Sequence, residues 1–137
     1  MKPELEIAIE VAAEAHRGQV RKYTGEPYIN HCLRVMQAVP DELKVAAVLH
    51  DVLEDTTVTV QSLIANGFDG QDIGRLIRLK RAPGQTYLHY IRGILHDPEV
   101  VPIKIADLED NLSNCPPGSM RDKYELALYI LEVKDAK

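Results

Sequence analysis

The chain has 137 residues, 45% of them hydrophobic and 27% charged, with a formal net charge of −5. This is the make-up of one ordinary globular domain, residues 1–137, and it excludes a disordered chain, a coiled coil and a collagen-like fibre. The acidic sum argues against nucleic acid as a partner, no apolar run approaches the roughly 18 residues of a membrane span, and the acids of Met1 to Glu6 stand where an export signal would be apolar.

Helix signals recur along the chain, and no strand period does. Glu4 to His16 carries an apolar stripe of Leu5, Ala8, Ile9, Ala12 and Ala15, closed by Gly18. Arg21 to Pro27 is a loop with Gly25 and Pro27 as breakers, and a helix follows from Ile29 to Val39. Asp41, after Pro40, opens a helix predicted to run unbroken to Leu53. Thr59 caps a short helix that stops at Asn66-Gly67. Asp69 caps the next, with Phe68 and Ile73 placed for a hydrophobic staple. Lys80 to Thr86 is a loop and Tyr87 to His96 a helix. Asp97-Pro98 predicts a capped helix start leading to Leu112, and Pro116-Pro117-Gly118 stops the chain before a last helix from Ser119. The expected fold class is all-α, a bundle of seven or eight short helices.

Two stretches concentrate positive charge in this acidic chain. Residues 73–96 hold Arg75, Arg78, Lys80, Arg81 and Arg92 with no acid, and residues 16–34 hold Arg17, Arg21, Lys22 and Arg34 against Glu26 alone. They mark either an anion site or solvated helix faces. Cys32 and Cys115 fall in no metal-binding or redox spacing and read as reduced thiols of a cytoplasmic protein.

Polar residues interrupt two stripes that should be core. Leu43, Ala46, Ala47, His50, Leu53 and Glu54 share one helical face, with Asp51 and Asp55 beside it; Val100, Ile103, Lys104, Asp107, Leu108 and Asn111 share another. Taken singly, His50 would be a hydrogen-bonded core histidine and Asp107 an ion-pair partner of Lys104. Together with His31 they offer two imidazoles and two carboxylates, enough to hold a divalent ion of the manganese, iron or zinc type with positions left for water and substrate. Neighbouring helical side chains diverge by about 100°, so His50 and Asp51 reach one ion only if it sits between their directions.

Three segments carry a resemblance: Ala15-His16-x-Gly18-Gln19-x-Arg21-Lys22-x-Thr24-Gly25-Glu26-Pro27-Tyr28-Ile29-x-His31, Ala46-Ala47-x-Leu49-His50-Asp51-x-x-Glu54-Asp55-Thr56, and Lys104-x-Ala106-Asp107-x-x-x-Asn111. In this order they resemble the HD-domain metal-dependent phosphohydrolases, and within them the hydrolase domain of the RelA/SpoT-type alarmone enzymes and small alarmone hydrolases. The resemblance implies manganese, or another divalent transition metal, on His31, His50, Asp51 and Asp107. It implies that Glu54 and Asp55 orient and deprotonate the attacking water, and that Arg21, Lys22, Lys104 and Asn111 face the nucleotide. The implied reaction removes the 3′-diphosphate of guanosine 3′,5′-bis(diphosphate), (p)ppGpp, as pyrophosphate. Leu108-Glu109-Asp110 departs from the basic and small residues usual after Asp107, and Cys32 stands where proline is common. A phosphohydrolase acting on another nucleotide, and a silent nucleotide-binding module, are the alternatives.

Overall fold

Side chains of Thr59, Asp69 and Thr86 cap the starts of three helices, and a glycine closes one of them. The structure, a computed structural model, describes residues 3–135. Its helices are α1 (Glu4–Ala15), α2 (Ile29–Gln37), α3 (Lys44–Val48), α4 (Val52–Asp55), α5 (Val60–Ala65), α6 (Gly70–Leu79), α7 (Tyr87–Leu95), α8 (Val101–Leu112) and α9 (Ser119–Asp135), with a 3-10 turn at Asp41–Leu43. Among the described residues there is no strand; an isolated antiparallel bridge joins Val20 to Pro27. The Thr59 and Asp69 side chains accept from the Ser62 and Asp72 backbone N–H groups, as caps do. Gly67, at φ +87, lets Phe68 N–H return to the Leu63 carbonyl and close α5 in a Schellman turn.

The stretch expected to be one helix from Asp41 to Leu53 is instead broken at the His50-Asp51 step. The backbone leaves helical values at Leu49 (φ −97, ψ 5) and Asp51 (φ −101, ψ −2). The hydrogen bonds tighten to three-residue steps there, His50 N–H to the Ala47 carbonyl at 3.3 Å and Val52 N–H to the Leu49 carbonyl at 3.0 Å. No proline or glycine imposes this. Leu49 and Val52, on either side, are fully buried. Releasing either from the core would forfeit the about 2–5 kcal/mol typical of a lost large aliphatic side chain. A second difference lies at Asp97-Pro98. Asp97 closes a separate turn, its carbonyl accepting from Val100 and Val101, and α8 begins at Val101.

α8 packs on both α2 and α9, and α3 on α1, α2 and α6. Val48, Leu49, Val52, Leu63, Leu76, Ile103, Leu108 and Leu131 are fully buried where these helices meet. This packing brings His31 of α2, the break before α4, and Asp107 of α8 to one place.

At the far end of α6, Asp72 is 6% exposed and bonded to Arg75 at 3.0 Å. Burial first, then a hydrogen bond shared with Glu4 and the nearby Asp69, push its carboxyl up to about 6. The folded protein thus keeps a proton that the unfolded chain gives up near pH 4, and stability falls as pH rises through the window between these values. Urea midpoints at pH 4 and pH 7 test this: Asp72→Asn should gain stability relative to wild type on going from pH 4 to pH 7, and an unchanged difference would contradict the assignment.

Candidate metal centre and cleft

His31, His50, Asp51 and Asp107 each offer one ligand atom, and the four atoms lie within 4.8 Å of one another. His50 Nε2 is 3.0 Å from Asp51 Oδ2 and 3.2 Å from Asp107 Oδ1; His31 Nε2 is 3.0 Å from Asp107 Oδ1 and 3.8 Å from Asp51 Oδ2. The convergence coincides with the break at Leu49 to Asp51, where two sequence neighbours face one point.

The second nitrogen of each imidazole is fixed from behind. His50 Nδ1 lies 2.7 Å from the Ala47 carbonyl, an acceptor only, so Nδ1 carries the hydrogen and Nε2 faces the cluster. His31 Nδ1 lies 2.6 Å from Asp110 Oδ2. Arg34 binds Asp110 through Nε and Nη2, and also binds Glu26. His31 and Arg34 stand three residues apart on α2, and Asp107 and Asp110 three apart on α8, so the two helices meet in two matching rungs. A ligand histidine held by a carboxylate has its ring direction set and its basicity raised. Tyr28 Oη donates to Asp51 Oδ2, and its ring packs against His31 and His16.

The electrostatics favour positive charge at the cluster. Burial opposes ionisation of Asp107, but Lys104, its Nζ 2.9 Å from Oδ2, and then His50 hold the carboxyl well below its usual range. Burial alone would lower His50; Asp51 and then Asp107 outweigh it and raise it well above its ordinary value. Two imidazole nitrogens and two carboxylate oxygens gathered this closely suit a divalent cation of the transition series, whose charge would balance the carboxylates.

The cluster opens into a cleft of about 430 Å³ lined by Asp51, Glu54, Asp55 and Asp107 together with the cations Arg21, Lys22, Arg81, Lys104 and Lys123 and by Asn111. His31 lies behind this surface, fully buried. All four residues expected to face a substrate therefore line the cleft. The loop that presents Arg21 and Lys22 closes on itself, Arg21 N–H donating to the Glu26 carbonyl at 2.8 Å and Gly25 N–H to the Arg21 carbonyl at 3.0 Å; Gly25 is at φ +75, which suits glycine alone without cost. Arg21 reaches Asp110 at 3.4 Å and lies over Tyr28, and Asn111 donates to Asp107 at 3.4 Å. Glu54 and Asp55 stand on α4 at the cleft surface rather than in the core stripe. Desolvation, then the Asp51 charge, raises both carboxyls above their ordinary values.

Sequence reasoning missed three features of this site. Asp110 reads as a mere departure, yet it orients His31; the signal was its three-residue spacing from Asp107. The basic stretch 73–96, expected to supply further cations at the mouth of the site, does so through Arg81, which lines the cleft; what was missed is that Arg75 and Arg78 are neutralised by Asp72, Asp97 and Glu99. Lys123 comes from α9, outside every motif.

Comparison with known proteins agrees with this geometry. Residues 8–82 match the HD domain family. The guanosine-3′,5′-bis(diphosphate) 3′-pyrophosphohydrolase of Aquifex aeolicus is 36% identical over 122 residues, covering 80% of this chain and 17% of its own length. The bifunctional (p)ppGpp synthase/hydrolase SpoT of Escherichia coli is 33% identical over 126 residues, 81% of this chain and 18% of its own. The chain thus spans under one fifth of these curated relatives. In fold it matches a solved structure of a metazoan ortholog of SpoT that hydrolyses ppGpp, with a TM-score of 0.78, 24% identity, and coverage of 98% of this chain and 86% of that one. A match over more than half of its residues, running through the His50-Asp51 step of the cluster, makes the chain a member of the HD domain family.

Proposed function

We propose that the chain, acting as a single domain in the cytoplasm, hydrolyses (p)ppGpp to pyrophosphate and GDP or GTP with manganese on His31, His50, Asp51 and Asp107. The observation that carries this reading is the convergence of these four ligand atoms within 4.8 Å beside a cleft lined by five cations. The relatives' activity on the same nucleotide supports it.

A divalent ion at this cluster supplies an acidified water and a polarised phosphoryl oxygen. The chain's own groups do the rest. Glu54 takes the proton from the attacking water, and Asp55 holds that water in line; burial and then the Asp51 charge raise both carboxyls above their ordinary values, which makes them stronger bases. The water oxygen bonds to the proximal phosphorus of the 3′-diphosphate, the bond to the ribose 3′ oxygen breaks, and that oxygen takes up a proton. Arg21, Lys22 and Lys104 offset the charge of the phosphates, and Asn111 offers a hydrogen bond. Tyr28 and Asp110 position the ligands Asp51 and His31 without touching substrate.

A second reading, hydrolysis of a different nucleotide, is favoured by one observation. Asp110 engages Arg21 at 3.4 Å and so takes part of the guanidinium that the resemblance assigns to the nucleotide.

Three outcomes check the reading. Incubated with manganese and a panel of nucleotides, the protein should release pyrophosphate from guanosine 3′,5′-bis(diphosphate); orthophosphate, or turnover of another nucleotide alone, would favour the second reading. Glu54→Gln should bind manganese like wild type yet turn over about 10²–10⁴ times more slowly, the scale of a positioned acid or base. Loss of the ion would make Glu54 a ligand. Asp110→Asn should weaken manganese binding about 10- to 100-fold in calorimetric titration, as loss of a carboxylate behind a ligand histidine does. Unchanged affinity would show that the Asp110–His31 contact does not tune the metal.

A further inference from the structure

Two polar side chains behind the cleft have no part in the mechanism above. His16 closes α1, Gln19 lies three residues on, and neither lines the cleft. Gln19 Nε2 donates to the Asp55 carbonyl at 3.0 Å, 36 residues away in the chain. A carbonyl only accepts, so the amide nitrogen of Gln19 faces Asp55 and its Oε1 faces His16, 2.8 Å from Nδ1. The hydrogen of His16 is therefore on Nδ1, where it meets an acceptor; Nε2 is buried and has no partner among the described residues. Burial holds the imidazole in this direction. It is 2% exposed, and its ring packs 4.8 Å from that of Tyr28.

What Gln19 holds is a single turn. α4 has four residues, and the Glu54 and Asp55 N–H groups both donate to the Asp51 carbonyl, at 3.2 and 2.9 Å. One turn fixes several backbone dihedrals for little return in hydrogen bonds, so it keeps its direction only when held from outside. The chain goes extended at Thr56 (φ −135, ψ 179), which leaves the Asp55 carbonyl without an N–H of its own helix. Gln19 supplies that donor. Glu54 and Asp55, the two acids at the cleft surface, both ride on this turn.

The other end of α4 is held by the same segment. Tyr28 Oη donates to Asp51 Oδ2, just before α4, and Tyr28 N–H donates to the Gln19 carbonyl at 2.9 Å. Val20 and Pro27 pair beside them. The loop carrying Arg21 and Lys22 thus leaves from Gln19 and returns to Tyr28, and these two residues at its base grip opposite ends of α4. Stability alone does not call for this pair. Leaving His16 Nε2 buried and unpaired is a cost that an apolar side chain would not carry.

We propose that Gln19, oriented by the buried His16, is a positioning residue that sets the direction of α4, and with it Glu54 and Asp55, against the loop of Arg21 and Lys22. The inference rests on the nucleotide-hydrolase reading and adds to it a fixed spacing between the acids that activate water and the cations that hold phosphate.

The experiment compares Gln19→Leu, Gln19→Glu, His16→Phe and His16→Asn with wild type, each shown to be folded by circular dichroism and each loaded with manganese. On the nucleotide that wild type turns over fastest, kcat should fall about 10- to 100-fold in Gln19→Leu, the scale of a reacting group displaced by about 1 Å, while KM stays within about twofold. Gln19→Glu keeps the size of the side chain and the oxygen that faces His16 but loses the donor to Asp55, so it should fall equally. His16→Phe keeps a ring and loses the donor to Gln19, and should fall with them. The amide of asparagine can donate where Nδ1 does, so His16→Asn should keep kcat within about fivefold of wild type. Manganese affinity in calorimetric titration should stay within about twofold in all four, unlike the 10- to 100-fold loss that follows removal of a group behind a ligand. A loss carried by KM, full activity of Gln19→Glu, or loss of the ion together with turnover would overturn the proposal. Amide hydrogen exchange gives a readout independent of turnover. The Glu54 and Asp55 N–H groups should exchange about tenfold or more faster in Gln19→Leu, with α8 unchanged. Unchanged exchange in α4 overturns the proposal. If wild type hydrolyses no nucleotide while α4 still loosens in the variant, the hold of Gln19 on α4 stands and the hydrolase reading falls.

Discussion

Carboxylates in a protein interior must be neutralised, and here Asp51 and Asp107 are brought together with two imidazoles at the meeting of three helices. Everything else in the site follows from how the backbone achieves that. On a regular helix His50 and Asp51 would diverge by about 100° and could share one ion only if it sat between their directions. The chain breaks the helix at that step, and the break is held by core packing of Leu49 and Val52, both fully buried, rather than by a glycine or proline. Packing energy of the ordinary aliphatic kind is thereby used to hold an electrostatically demanding arrangement.

A layer behind the ligands completes it. His31 with Arg34 on α2 faces Asp107 with Asp110 on α8, so one helix pair supplies two ligands and the groups that orient them. Arg34, shared between Asp110 and Glu26, ties this layer to the loop that carries Arg21 and Lys22. The candidate ligand His31 and the loop of Arg21 and Lys22 are therefore tied through one guanidinium. Asp110, which looked like a departure from the resemblance, is in three dimensions the partner of both His31 and Arg34.

What could be read in advance was local. Thr59 and Asp69 cap, Gly18, Gly25 and Gly67 turn, and Pro116-Pro117-Gly118 stops, because these effects act over three or four residues. The convergence of His31, His50, Asp51 and Asp107 was legible because polar residues on apolar stripes demand an explanation. The helix break was not, since nothing between Leu49 and Asp51 is a breaker and the cause is tertiary. Neither was the sorting of the basic stretch. Arg75 and Arg78 are claimed by Asp97 and Glu99 on a later turn, and Arg81 is left to the cleft. Lys123 could not be found at all, because only the packing of α9 on α7 sets it over Tyr87.

The central claim, that a helix break focuses four side chains on one divalent ion, is tested most directly by locating the ion. Crystals grown with manganese and measured at its absorption edge should show one strong anomalous peak per chain, in contact with His31 Nε2, His50 Nε2, Asp51 Oδ2 and Asp107 Oδ1 together. A peak that leaves out either His50 or Asp51, or that lies elsewhere in the cleft, would contradict the account.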